Sequence, residues 1–170
     1  QMTAKDIICL PNTHLRKRST KVGMVDGGIK KIIADMQSAA LDWEASRQHE
    51  LGVALAAIQI DQPKKIIVIR NNFEDKNDRT FQIFINPEIT KYDGQIEEDY
   101  EGCLSVKDIY GKVPRYSKVK VKALDKDGRS VRLTAEGFLA RVLQHEIDHI
   151  KGVVFVDHIK NKRNGFFRLK

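Results

Sequence analysis

The apolar residues Ile29, Ile32, Ile33, Met36, Ala40 and Trp43 recur at steps of three and four. That spacing predicts an amphipathic helix over about 28–43 with one face turned to a core. The polar run WEASRQHE that follows reads as the helix end and an exposed loop. Next come two short β-branched or aromatic segments, IIVIR at 66–70 and FQIFI at 81–85. A polar loop separates them, and Asn86-Pro87 is expected to close the second. At 118–123 the pattern becomes strict alternation, with lysines set against Val119, Val121 and Ala123. One face of that strand is predicted buried and the other wet. Asp127-Gly128 then turns the chain into Arg129–Thr134, which predicts a hairpin. Thr134 is placed to cap a last helix reaching about Ile150, with Glu136 in its first turn and Gly152 just past its end. The run VVFV at 153–156 is expected as a final strand. Strands thus gather ahead of one late helix instead of alternating with helices. The predicted class is α+β with antiparallel sheets, not a doubly wound parallel fold.

At 170 residues, with no repeat and no linker-like stretch, the chain reads as a single domain over 1–170. A composition of 41% hydrophobic and 31% charged residues excludes a disordered polymer. No apolar run approaches a bilayer span, and no cationic, apolar leader is visible, so a cytoplasmic protein is expected. Cys9 and Cys103 are too few for a disulfide scaffold and suit a reducing compartment. Thirty basic against 23 acidic residues leave a net charge of +7. That surplus permits an anionic partner but is unevenly spread. Residues 93–101 hold five acids, whereas 158–170 hold five bases and no acid. Solvated faces and a basic tail are the plainer reading of that pattern.

The sharper signal is His145-Glu146-Ile147-Asp148-His149, of the form H-E-x-x-H, inside the predicted late helix. Four residues turn a helix through roughly 400°, so both imidazoles project from one face and can share a metal ion. Glu146 lies roughly 100° round the helix from His145, badly aimed as a ligand and well aimed at a metal-activated water. Two histidines leave a third protein ligand to be found. His158, nine residues beyond His149, misses the metzincin spacing of about six. His14 and His49 sit in polar surroundings and read as solvent-exposed. Cys103, in Glu101-Gly102-Cys103-Leu104-Ser105, is the better candidate and would complete a Cys-His-His set with one position open for water. Cys9, within IICL, reads as a structural cysteine. A third segment, Gly52-Val53-Ala54-Leu55-Ala56-Ala57-Ile58-Gln59, has small residues that permit close approach of a backbone or ligand. Gln59 ends that apolar run and could donate to a developing oxyanion.

Taken together and in this order, GVALAAIQ (52–59), EGCLS (101–105) and QHEIDH (144–149) resemble the motifs of the peptide deformylase family. The resemblance runs through most of the chain, from PNTHLRKRS to GVVFVDHI. It implies removal of the N-formyl group from the formyl-methionine that begins nascent polypeptides. It further implies that Cys103, His145 and His149 hold one divalent metal, with water as fourth ligand. Fe²⁺ is the ion expected, with Zn²⁺, Ni²⁺ or Co²⁺ as substitutes. Glu146 would carry the proton to the leaving amine, while the Gln59 side chain and Leu104 N–H cradle the formyl oxygen. The implied fold is α+β, with antiparallel sheets packed around the H-E-x-x-H helix. The implied peptide path follows the strand edge at Gly52, Val53 and Ala54, with Val142 walling the methionine pocket and Tyr110 at its mouth. Through the 158–170 tail, a transient contact with ribosomal RNA is expected.

This chain departs from the family pattern at three places. Ala54 stands where the first motif has its second glycine. The stretch LDWEASRQHEL before Gly52 is longer than in many relatives. Tyr110 stands where some bacterial members have arginine. Two other classes share part of the pattern: a zinc peptidase, through H-E-x-x-H, and a catalytically lapsed relative that binds peptide or RNA through its basic surface.

Overall fold

The computed structural model describes residues 2–47 and 50–159, together with the backbone of residues 166–168. Among these, two α-helices form, α1 over Gly27–Ala45 and α2 over Gly137–Ile150. The strands are β1 Ala54–Ala56, β2 Ile66–Arg70, β3 Phe81–Cys103, β4 Val106–Leu124, β5 Ser130–Glu136 and β6 Phe166–Arg168. They make one sheet in the order β1-β2-β3-β4-β5, with β6 against β4. Every strand pairing is antiparallel. The class is α+β, as the order of elements predicts.

The sheet lies between the two helices. Ile67 and Ile69 of β2 join Phe84, Val119 and Val121 beneath Ala140, Leu143 and Ile147 of α2. Ile66 and Val68 point the other way, with Ile85, onto Ile29, Ile33 and Met36 of α1. All five β2 residues are therefore buried, which is why IIVIR reads as an unbroken apolar run. The lysines of 118–123 face water while Val119, Val121 and Ala123 are buried, as the alternation requires. Asp26 caps α1 by accepting from Ile29 N–H at 3.0 Å, the bond an N-cap aspartate makes to an unpaired first-turn donor.

Three expectations about element ends are corrected. Asn86-Pro87 does not close the second strand, because β3 runs on to Cys103. The register shifts between Ile85 and Glu88, and Asn86 adopts φ 51°, so a bulge absorbs the proline's missing N–H and lets pairing resume. Residues 91–100 carry charge and little apolar periodicity, which hides the rest of that strand from a pattern reading. Thr134 caps no helix; it pairs with Lys120 inside β5. Glu136 is the N-cap position of α2, and Gly137, at φ 61°, turns the chain from strand into helix. Residues 153–156 form no strand, since Phe155–His158 is a 3-10 turn whose Phe155 is buried. His49 and most of the basic tail lie outside the described residues.

Arg70, wholly buried at the end of β2, ties the region beside the site together. Its guanidinium pairs with Glu44 of α1 and donates to the carbonyls of Lys76 and Asp78 at 2.8–3.1 Å. Glu44 Oε1 also accepts the Gly52 N–H at 3.0 Å, and Arg70 N–H donates to Val53 O at 2.7 Å. The chain just before β1 is thereby held from both sides.

Candidate active site

Three segments distant in sequence meet at one place. β3 ends in Cys103, and Leu104-Ser105 turn the chain into β4. α2 supplies His145, Glu146 and His149, and the 3-10 turn Ala57–Ile60 after β1 supplies Gln59. The ligand-type atoms of Cys103, His145 and His149 all lie within 4.8 Å of one another. Cys103 Sγ is 3.4 Å from His149 Nε2. Both imidazoles are buried, and His145 stacks on Phe155 at 5.9 Å between ring centroids. Burial, with the charges of His145 and Arg115, holds His149 well below the ordinary histidine range. It is neutral at pH 7, which is the form a metal takes.

The donors fit a metal ion. A thiol and two imidazoles converging in a buried place are the chemistry of Zn²⁺ or Fe²⁺ sites. Glu146 points to the same conclusion, because its Oε1 is buried with no hydrogen-bond partner among the described residues. Such an atom is costly unless a further ligand satisfies it. Burial pushes the Glu146 carboxyl up to about 7, so it can take and give a proton near neutrality.

Around the donors is a buried charge network. Glu101 accepts from His145 Nδ1 at 2.8 Å, from Arg115 Nε and Nη2 at 2.9 and 3.0 Å, and from Arg141 Nη1 at 2.7 Å. Burial opposes its ionisation, but the His145 and Arg115 bonds outweigh that and hold the carboxyl well below the usual range. Arg115 also donates to Asp148 at 2.7 Å, and Asp148 in turn lies 2.8 Å from His158 Nε2. Gln144 bonds both the N–H and the carbonyl of Tyr116, at 3.0 and 2.8 Å, fastening α2 to β4 where β5 no longer covers it.

The cleft over the donors has a volume of ≈ 200 Å³. Val53, Ala54, Leu104, Phe138 and Val142 give it apolar walls, and Tyr110 and Gln59 also line it. Gln59 Oε1 accepts Ala56 N–H at 2.9 Å, which fixes the amide's orientation. Its Nε2 then faces Ser105 Oγ at 3.0 Å and Cys103 Sγ at 3.5 Å. Tyr110 donates to Glu50 Oε2 at 3.0 Å; desolvation, then Glu50, raises its phenol to about 12.

Gly52 and Ala54 of the first motif stand differently toward the cleft, which Ala54 lines and Gly52 does not. Gly52 lies behind the wall, where a Cβ would come within 2.5 Å of the Ala40 carbonyl oxygen of α1. Its smallness serves the helix packed against it. Ala54 sits in β1 opposite Ile69 and has no left-handed backbone, so its methyl causes no backbone strain. His14, paired with Asp61 at 2.8 Å, and His158 are both away from the donor cluster.

Sequence reasoning did not reach the network around Glu101. Arg141 was discoverable, since it precedes His145 by four residues and so shares its helix face. Arg115 carries no local signal, because its partners lie 14 and 33 residues away.

Comparison with known proteins bears on this geometry. The family described as Polypeptide deformylase matches residues 4–165. Peptide deformylase 1 of Pseudomonas syringae pv. tomato is 39% identical over 99% of this chain and 95% of its own. The peptide deformylase of Mesorhizobium japonicum is 42% identical over 96% of this chain and 89% of its own. Among solved structures, the Synechococcus elongatus peptide deformylase in complex with actinonin superposes with a TM-score of 0.81 at 34% identity, over 92% of this chain and 79% of that one. The Legionella pneumophila enzyme gives 0.80 at 40% identity, over 91% and 85%.

Proposed function

The chain belongs to the peptide deformylase family, and from that premise we propose how its residues divide the work. The activity itself is hydrolytic removal of the N-formyl group from newly made polypeptides. Cys103, His145 and His149 hold one divalent metal ion, with Fe²⁺ as the native metal and Zn²⁺, Ni²⁺ or Co²⁺ as substitutes. When bound, that ion supplies Lewis acidity and a water whose pKa is lowered toward ~7. Glu146 takes a proton at its carboxylate and delivers it to the departing amine. Gln59 Nε2 and the Leu104 N–H donate to the formyl oxygen as negative charge grows there. Val53, Ala54 and Val142 receive the peptide and the methionine side chain, with Tyr110 at the mouth of the cleft.

One observation carries this reading. A thiol and two imidazoles from distant segments come within 4.8 Å of one another beside a buried, unpartnered carboxylate oxygen. The same reading makes residues 1–170 one catalytic domain, with the α2 helix at its centre, and places it in a reducing, cytoplasmic setting where Cys103 stays unoxidised. A transient ribosome contact through 158–170 belongs to it as well. No described helix is long and apolar enough to cross a membrane.

The test is formate release from a formyl-Met tripeptide by anaerobically purified protein, with metal content assayed alongside. One bound metal per chain and turnover that falls in step with its removal are expected. Cleavage of internal peptide bonds without deformylation would instead assign the site to a zinc peptidase.

A further inference from the structure

A second cavity, of ≈ 190 Å³, lies where the end of α2 meets residues 18–21 and the β3 bulge at Asn86-Pro87. Ile147 and Ile150 line it from α2 and Lys151 from the position just past its end, whereas the catalytic cleft takes Phe138, Val142 and His145. Four cations surround it: Arg18, Lys21, Lys65 and Lys151. None of them is paired with a carboxylate among the described residues. Its single lining carboxylate, Glu88, has Lys122 Nζ at 3.5 Å.

Ser19 also lines the cavity and is only 7% exposed. Its N–H donates to Ile150 O at 2.9 Å, but its hydroxyl has no partner among the described residues. A buried hydroxyl left unmade is an unmet hydrogen bond inside a cationic recess. The C-terminus of α2 contributes about half a negative charge. Four cations against one carboxylate outweigh it, and the Ile150 carbonyl is already taken by Ser19. Tyr92 forms part of the same wall, 47% exposed, with its ring centroid 5.1 Å from that of the exposed Tyr116.

We propose that this cavity binds a phosphate group of single-stranded RNA, with the Tyr92–Tyr116 pair stacking a base beside it. The cations meet the phosphate charge, the Ser19 hydroxyl donates to a phosphate oxygen, and the exposed rings supply the sequence-tolerant contact that single strands use. The proposal is independent of the assignment of the catalytic residues.

The experiment follows binding of a short fluorescein-labelled single-stranded RNA to the holoenzyme by anisotropy at low salt. Lys21→Gln combined with Lys65→Gln should weaken binding about tenfold, and flatten the plot of log K against log salt by about 0.7 for each phosphate contact removed. Tyr92→Ala should weaken binding about tenfold as well. Ser19→Ala should weaken it without lowering the melting temperature, because the hydroxyl it removes is unpartnered. Deformylation of a formyl-Met tripeptide should be unchanged in all of them. Wild-type RNA affinity in these variants would overturn the proposal. So would binding that is lost on neutralising Lys160, Lys162 and Arg163 but kept by every cavity variant, which would assign the RNA to the tail alone. Full competition by inorganic phosphate with no effect of Tyr92→Ala would reduce the cavity to a small-anion site and overturn the RNA reading.

Discussion

Glu101 and His145 are joined by a 2.8 Å hydrogen bond between Oε1 and Nδ1, both groups buried. Because Glu101 is ionised and can only accept, Nδ1 carries a proton, so Nε2 is the only His145 atom a metal could take, once it gives up any proton of its own. One carboxylate thereby selects the ligand's tautomer, and two arginines hold that carboxylate in place.

Glu101→Gln should therefore damage binding and folding together. Metal affinity is expected to fall roughly 10–100-fold, since the imidazole loses its orienting partner. Arg115 and Arg141 would lose their shared counter-charge, at a cost of about 3–5 kcal/mol in stability. The sign with pH is set by the depressed pKa of Glu101. Its stabilisation is complete above its unfolded value of about 4.3 and is lost as pH falls toward the folded value. Acid unfolding of the variant should lose that dependence. Unchanged chelator competition and an unchanged acid midpoint would remove Glu101 from this role.

For Glu146→Gln the expectation is separation of chemistry from binding. Turnover should drop by about 10²–10⁴ while metal content stays at one per chain. Melting temperature should hold or rise, because a buried carboxylate with one oxygen unpartnered becomes a neutral amide. Cys103→Ala is the contrasting variant and should lose the metal itself. Full activity in Glu146→Gln would refute the proton-carrier assignment.

Gly102 is needed for a packing reason that a double-mutant cycle can expose. A Cβ there would lie 2.4 Å from the Tyr110 ring, next to a proposed metal ligand. Gly102→Ala should cost about 1–3 kcal/mol and lower metal affinity as Cys103 is displaced. Adding Tyr110→Ala should recover part of the loss. Purely additive effects of the two changes would show that the ring is not the obstacle.

Ala54→Gly restores the residue usual in the family's first motif. Ala54 has ordinary strand backbone, so glycine brings no relief of strain and should lower stability by about 0.5–1 kcal/mol. Any gain lies in room, because Ala54 lines the cleft. KM for a formyl-Met peptide should fall while kcat stays within about twofold, the pattern of a change in uniform binding. A change confined to kcat would mean that the methyl acts on the reacting centre.

Much of this was readable from the chain because it is local. The periodicity at 29–43, the alternation at 118–123 and the Asp127-Gly128 hairpin are each decided by neighbours a few residues apart. What failed depended on remote partners. The continuation of β3 past Asn86-Pro87 is supported by pairing with β4, and Val22, 64 residues away, bonds the Asn86 side chain. Residues 153–156 look like a strand, yet Phe155 is buried against His145 as part of a 3-10 turn.

By itself the sequence determined which chemical groups are present, the helical spacing that puts His145 and His149 on one face, and the order of elements that makes the fold α+β. Only the tertiary structure decided that Cys103 and Gln59 meet those histidines. Folding alone also buried Glu146 with its Oε1 unpartnered among the described residues and brought Arg115 and Arg141 to Glu101. The physical reason is range. Helical and strand periodicities are set by the backbone within a few residues, whereas burial, pKa and charge pairing depend on side chains that only the completed packing brings together.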